Sequence, residues 1–157
     1  MGKEIEKKFL VKNEGFKKNA THKLIRQGFL NKDPERVVRI RIADDKAWLT
    51  IKGRNKGSSR DEFEYEIPKN DAVELLKLCE KPLIEKTRYY CTVKEKSWEI
   101  DVFTGENEGL ILAEVELADE MEQIKIPDWA GTEVTNDPRY YNNNLVLNPF
   151  QRWDTND

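Results

Sequence analysis

Polar and apolar residues alternate with a period of two along most of the chain, the pattern of β-strands with two unlike faces. The alternation predicts about eight strands, near 3–11, 22–30, 36–43, 46–52, 60–67, 84–93, 97–103 and 110–117. Turn residues separate several of them: Asp44-Asp45, the stretch from Gly53 to Ser59, and that from Gly105 to Gly109. Three stretches switch to helical spacing. Residues 70–79 put Ala72, Leu75, Leu76 and Cys79 on one face, with Asp71 and Glu74 read as a capping box. A short helix is expected from Asp119, with Glu122 three residues on. A third is expected from Asp137-Pro138 towards Leu145, proline being well suited to the first helical position. Gln151 to Asp157 read as a tail.

No linker rich in glycine, serine or proline divides the sequence, and no internal repeat is found, so a single domain over 1–157 is expected. About eight antiparallel strands close readily into a barrel. The fold class is therefore α+β and mainly β, with helices flanking the barrel.

The polar faces of these strands are unusual. Glu4, Glu6 and Lys8 share one face, opposite Ile5, Phe9 and Val11. Arg39 and Arg41 oppose Val38, Ile40 and Ile42, while Trp48, Thr50 and Lys52 oppose Leu49 and Ile51. Glu62, Glu64 and Glu66 oppose Phe63, Tyr65 and Ile67. Lys86 and Arg88 share a face with Ile84 and Tyr90; Glu99 and Asp101 oppose Trp98, Ile100 and Val102. Glu114 and Glu116 oppose Ala113, Val115 and Leu117. Such faces either point to solvent around an apolar core or point into the lumen of a tunnel. A solvated face usually mixes serine, threonine and amides with its charges, whereas these strands are each nearly pure in charge type. Grouping like charges is unfavourable unless something bridges them. An anion beside the basic groups and a cation beside the acidic groups would do so.

The residue types narrow the ligand. Lys8, Arg39, Arg41, Lys52, Lys86 and Arg88 supply six positive centres, more than a single carboxylate requires. Arginine offers a planar fork matched to phosphate oxygens, and lysine a mobile point charge. Carboxylates beside a polyphosphate would repel it without divalent cations between them. Glu4, Glu6, Glu62, Glu64, Asp101, Glu114 and Glu116 are hard oxygen donors suited to Mg²⁺ or Mn²⁺. Histidine and cysteine stand outside the pattern, which disfavours zinc. Metal plus a phosphate cradle is the kit of phosphoryl transfer.

Composition adds limits. With 27 basic and 30 acidic residues the net charge is -3, so the chain is not a polybasic protein that coats nucleic acid or an anionic membrane. No apolar run approaches the roughly 18 residues of a membrane span. The charged start MGKEIEKKFL lacks the apolar segment of a signal peptide. Cys79 and Cys91 make no disulfide framework and have no metal-ligand spacing, so both are read as reduced and packed, which suits the cytoplasm. His22, the only histidine, is read as a surface residue, and Trp98, Trp129, Tyr140, Tyr141 and Phe150 chiefly as packing, with projection into the tunnel as the alternative for Tyr141.

These motifs together resemble the triphosphate tunnel metalloenzymes, the CYTH superfamily, and in particular its short bacterial-type inorganic tripolyphosphatases. Glu4-Ile5-Glu6-Lys7-Lys8 matches the N-terminal Glu-x-Glu-x-Lys signature. Arg39-x-Arg41, LTIKG at 49–53, EFEYEI at 62–67, KTRYY at 86–90, WEIDVF at 98–103, GLILAEVEL at 109–117 and EVTNDPRYYNNNL at 133–145 follow in order. The resemblance implies a closed eight-stranded tunnel with a C-terminal helix that plugs one mouth. It implies that Lys8, Arg39, Arg41, Lys52, Lys86 and Arg88 hold the triphosphate, and that Glu4, Glu6, Glu114 and Glu116 hold the principal metal. Glu62, Glu64 and Asp101 would hold or orient a second metal and the attacking water, and Lys8 would also orient the water or the leaving oxygen, working with Glu4 and Glu6. Barrels of this kind often pair as homodimers. The chain departs from the family at Phe29, where Tyr commonly follows Gln-Gly, so no phenol can act there.

Hydrolysis of inorganic tripolyphosphate to phosphate and pyrophosphate is the leading expectation. An adenylyl cyclase, or a hydrolase of a nucleoside or other organic triphosphate, would use the same cradle with an apolar pocket for the organic end; Trp48, Tyr90 and Phe103 have suitable parity. A binding module without turnover would not need so many metal donors.

Overall fold

The computed structural model describes residues 3–153. Eight antiparallel strands form the wall: β1 Lys3–Val11, β2 Thr21–Asn31, β3 Arg36–Ala43, β4 Lys46–Gly53, β5 Ser59–Ile67, β6 Ile84–Val93, β7 Lys96–Phe103 and β8 Ile111–Glu116. Their order around the sheet is β5-β4-β3-β2-β6-β7-β8-β1, and β1 pairs back onto β5 through Lys3 to Ile5, which closes the barrel. The eight strands agree with the alternation within a residue or two. A ninth, β9 Ala130–Glu133, runs beside the end of β1; its four residues are too few to show a period.

The apolar outer faces are covered piecemeal. Helix α1, Lys69–Lys77, lies on Ile40, Ile42 and Ala47 through Ala72 and Leu76. Its N-cap is Pro68 and makes no side-chain cap bond, so the capping box expected at Asp71 and Glu74 does not form. Glu74 pairs with Lys77 instead. Gly28 on β2 permits the close approach of the chain after α1: a Cβ there would lie 2.7 Å from Cys79 Cβ and 2.8 Å from Leu83 Cδ2. A second outer cluster joins Phe9, Trp98, Ile100 and Val115 to Phe16 and Trp129. Ile51, Phe63 and Tyr65, on β4 and β5, stay exposed. The expected helix at Asp119 is a turn, in which Glu122 Oε1 accepts from the Ala118 amide and Asp119 Oδ1 from the Met121 amide.

The inward faces change character along their length. Leu10, Phe29, Val37, Ile84, Phe103 and Leu112 share strand faces with the charged residues but sit at one end of the barrel. There they meet Tyr140, Leu145 and Val146. The expected helix at 137–145 is thus two pieces, a 3₁₀ turn over Pro138–Tyr140 and helix α2, Asn142–Leu147, with Tyr141 extended between them. Together they form an apolar plug. Trp153 packs on Tyr140 and Phe150, so the start of the expected tail belongs to this core, while 154–157 lie outside the described residues. Cys79 is buried, Cys91 partly buried, and both are free thiols. His22 is exposed, against the Tyr89 ring. No helix among the described residues is long and apolar enough to cross a membrane.

Candidate functional site

Inside the barrel lies a cavity of ≈ 330 Å³, near the lower end of small-ligand sites. The strand faces read as charged from the sequence point into it. Glu4, Glu6, Lys8, Arg39, Arg41, Lys52, Glu62, Glu64, Arg88, Glu114 and Glu116 all line it. Lys86 and Asp101 stand just behind, 3% exposed each. The tunnel arrangement, rather than the solvated one, is therefore the one this chain adopts.

The acidic side is crowded. Glu4, Glu6 and Glu114 lie close enough to disturb one another: burial first, then Glu114 and Glu4, push the Glu6 carboxyl up to about 7. Burial also works on Glu4, but Lys52 and Lys8 outweigh it and hold its pKa below the usual value. Burial and the neighbouring Glu4 raise Glu62. Lys8 Nζ sits between Glu114, to which it donates, and Glu6 at 3.5 Å. Lys52 Nζ sits between Glu4 at 3.2 Å and Glu62 at 3.4 Å. Glu116 faces Glu6 directly across the β1–β8 ladder. Among the described residues no three acidic, histidine or cysteine side chains already surround one point closely enough to hold an ion; the two ammonium groups occupy the spaces between the carboxylates.

The basic side has fewer carboxylates than it needs. Asp101 serves two cations: Arg88 holds it by Nε to Oδ1 at 2.7 Å and Nη2 to Oδ2 at 2.9 Å, and Lys86 Nζ donates to Oδ2 at 2.7 Å. Asp101 stays ionised because, against burial, Arg88 and Lys86 stabilise its charge. The sequence placed it among the metal donors; here both oxygens are already taken. Arg88 also reaches Glu99 at 3.0 Å, and Arg39 reaches Glu64 at 3.3 Å. Burial, then Arg88 and Arg41, lower the Lys86 ammonium to about 7 despite its bond to Asp101. Arg41 donates to Gln27 Oε1 at 2.8 Å, and among the described residues it has no carboxylate partner. Burial, Arg39 and Arg88 bring its pKa down to about 9. Arg39 Nε is buried with no hydrogen-bond partner among the described residues.

Several lining residues escaped the sequence reading. Arg60 has the parity of Glu62 and lines the cavity; alternation alone could have found it. Gln27, fully buried, and Asn142 complete the inner end, with Asn142 Oδ1 accepting from Gln27 Nε2 and Lys86 Nζ, both at 2.9 Å. Nothing in the local pattern brings residues 27 and 142 together. Tyr141 lines the cavity and donates its hydroxyl to the Thr135 carbonyl at 3.2 Å. Phe103 is in the plug core, and Phe29 lines the cavity beside it, an apolar ring where a phenol was commonly expected.

Known proteins resemble this chain in sequence and fold. The chain is 53% identical over 154 residues to an inorganic triphosphatase of Acetivibrio thermocellus, covering 98% of this chain and 99% of the relative. It is 37% identical over 149 residues to an inorganic triphosphatase of Nitrosomonas europaea, covering 92% and 97%. A crystal structure of an inorganic triphosphatase superposes with a TM-score of 0.66 at 34% identity, covering 92% of this chain and 97% of that one. Residues 2–145 match the CYTH domain, and with the closed, charge-lined barrel this places the chain in the CYTH domain family.

Proposed function

We propose that this protein hydrolyses inorganic tripolyphosphate to phosphate and pyrophosphate within the barrel, with a divalent cation, Mg²⁺ or Mn²⁺, bound among the carboxylates. The observation that carries this reading is the unmatched basic side of the cavity: among the described residues Arg41 has no carboxylate partner and the buried Nε of Arg39 has no hydrogen-bond partner. Guanidinium groups held this way suit an oxyanion with several oxygens. The two relatives named as inorganic triphosphatases support the same substrate.

The residues fit a metal. Glu4, Glu6 and Glu114 lie close enough to disfavour one another's charge, which a divalent cation would relieve, and their oxygens are donors that suit Mg²⁺ and Mn²⁺. Glu4, Glu6, Glu114 and Glu116 would hold the principal ion, and Glu62 and Glu64 would serve a second. When bound, the metal supplies charge neutralisation and a lowered pKa for water. Lys8 and Lys52, released from the carboxylates, can then turn to phosphate oxygens. Arg39, Arg41 and Arg88 hold the chain of phosphates in line and neutralise charge that grows on the leaving oxygen. Asp101 acts as a positioning residue, fixing the fork of Arg88 and the ammonium of Lys86.

Cytoplasmic location belongs to the same reading and is supported by the free thiols of Cys79 and Cys91. Pairing of two copies is supported by the exposed Ile51, Phe63 and Tyr65 on the barrel wall; a solution mass equal to one 18.5 kDa chain would remove it.

The test is phosphate release from tripolyphosphate, pyrophosphate, ATP and thiamine triphosphate, each with Mg²⁺ and with Mn²⁺, beside a Glu4→Gln, Glu6→Gln variant. Preferred turnover of tripolyphosphate, lost in the variant, is expected. Preference for an organic triphosphate, or cyclic AMP from ATP, would keep the cradle and change the substrate. No phosphate release with either metal would overturn the enzymatic reading.

A further inference from the structure

Three consecutive asparagines open α2, and their amides go to different places. Asn143 is buried and donates Nδ2 to the Lys32 carbonyl at 3.2 Å, tying the plug to the loop after β2. Asn144 donates Nδ2 to the Pro138 carbonyl at 2.8 Å, within the plug. Asn142 lines the cavity, and its Oδ1 accepts from both Lys86 and Gln27. The orientation of this amide is forced, because an ammonium group has no acceptor and only oxygen can face Lys86. Gln27 is fixed by the same logic: its Oε1 accepts from Arg41 Nε, and a guanidinium accepts nothing. Asn142 Nδ2 makes no hydrogen bond among the described residues, so its donors are left for whatever fills the cavity.

We propose that Asn142 Nδ2 is a substrate-binding donor, hydrogen-bonded to a non-bridging oxygen of the triphosphate at the plug end, with Gln27 as the residue that positions it. The proposal rests on the tripolyphosphate reading of the same cavity. The chemistry suits the spot. Arg41, Lys86 and Arg88 already crowd it with positive charge around the carboxylate of Asp101. An amide donates to a phosphate oxygen without adding another charge. It also makes the plug part of the binding surface, since the substrate then touches α2 and the barrel wall together.

The experiment follows the side-chain amide of Asn142 by NMR in the intact protein as inorganic tripolyphosphate is added, first without metal and then with Mg²⁺. The Asn142→Asp variant assigns the signal by its loss. The expected result is a downfield amide shift that saturates with the binding curve. Asn142→Asp keeps an acceptor for Lys86 and Gln27 but loses the donor. Its tripolyphosphate Kd should rise roughly ten- to hundredfold, the range for a hydrogen bond to a charged group, with little change in melting temperature. If that variant does not fold, Asn142→Ser serves for both assignment and affinity. Tripolyphosphate binding with an unmoved Asn142 amide overturns this proposal alone. Absence of tripolyphosphate binding by the wild-type protein both without metal and with Mg²⁺ overturns the substrate reading and this proposal with it.

Discussion

Arg88 and Asp101 face each other across the β6–β7 ladder and join by two parallel hydrogen bonds of 2.7 and 2.9 Å, in the interior of the barrel. The same carboxylate accepts from Lys86, so Asp101 serves two buried cations, of which Arg88 also meets Glu99 at 3.0 Å. Removing one partner of a buried pair leaves an uncompensated charge, which typically costs about 3–5 kcal/mol. Asp101→Asn should therefore lower the stability of the ligand-free protein by about that amount. Tripolyphosphate should restore more melting temperature in the variant than it adds to the wild type, because it supplies the missing negative charge. Thermal unfolding with and without tripolyphosphate measures both quantities. A variant as stable as wild type without ligand would show that Asp101 does not balance these cations.

Glu6 gives the ligand-free protein a pH dependence of definite sign. Its folded pKa, about 7, lies above the ordinary value of 4.5, so between these values the folded state binds more protons than the unfolded one. Stability should then fall as pH rises from about 4.5 to 7, and the penalty is complete above 7. Glu6→Gln has no such term. The variant should exceed wild type by about 1–3 kcal/mol at pH 8 and lose that advantage near pH 4.5, as read by denaturant unfolding. Mg²⁺ or Mn²⁺ at pH 8 should raise the wild type more than the variant.

Arg41 separates binding from stability. It has no carboxylate partner among the described residues, and burial beside Arg39 and Arg88 already disfavours its charge. Arg41→Gln removes a repulsive charge and a phosphate ligand together. Its melting temperature should match or exceed that of wild type, while KM for tripolyphosphate rises by tenfold or more, the loss of one charge-assisted contact. Unchanged KM would remove Arg41 from the binding set.

The wall of the barrel and most of its lining were readable because both follow a period of two. Once Arg39-x-Arg41 or Glu62-x-Glu64 lies on a strand, pleat geometry puts the pair on one face. Alternation could not show that Ile84 and Phe103, which share faces with Lys86 and Asp101, mark where the lumen ends. That requires a plug from 140–146 to lie against them. Asp101 shows a similar limit. Parity places it in the lumen with the glutamates, but only the β6–β7 register, Arg88 opposite Asp101, commits it to a cation. Gln27 and Asn142 were missed because their contact spans 115 residues.

The plug supplies a test of how the closed end is held. Leu145 is fully buried among Phe29, Val37, Ile84 and Phe103, and α2 is only six residues long, too short to persist without that packing. Leu145→Ala removes apolar contacts worth about 2–5 kcal/mol at such a site. The barrel ladders close on themselves without α2, so the loss should be local. Hydrogen exchange at residues 140–147 should speed up by more than tenfold, while amides in the centres of β3, β6 and β7 keep their protection. Tripolyphosphate affinity should fall as well, since Asn142 loses its fixed place against Gln27 and Lys86. Uniform acceleration across barrel and plug would mean instead that α2 is part of one cooperative unit with the strands.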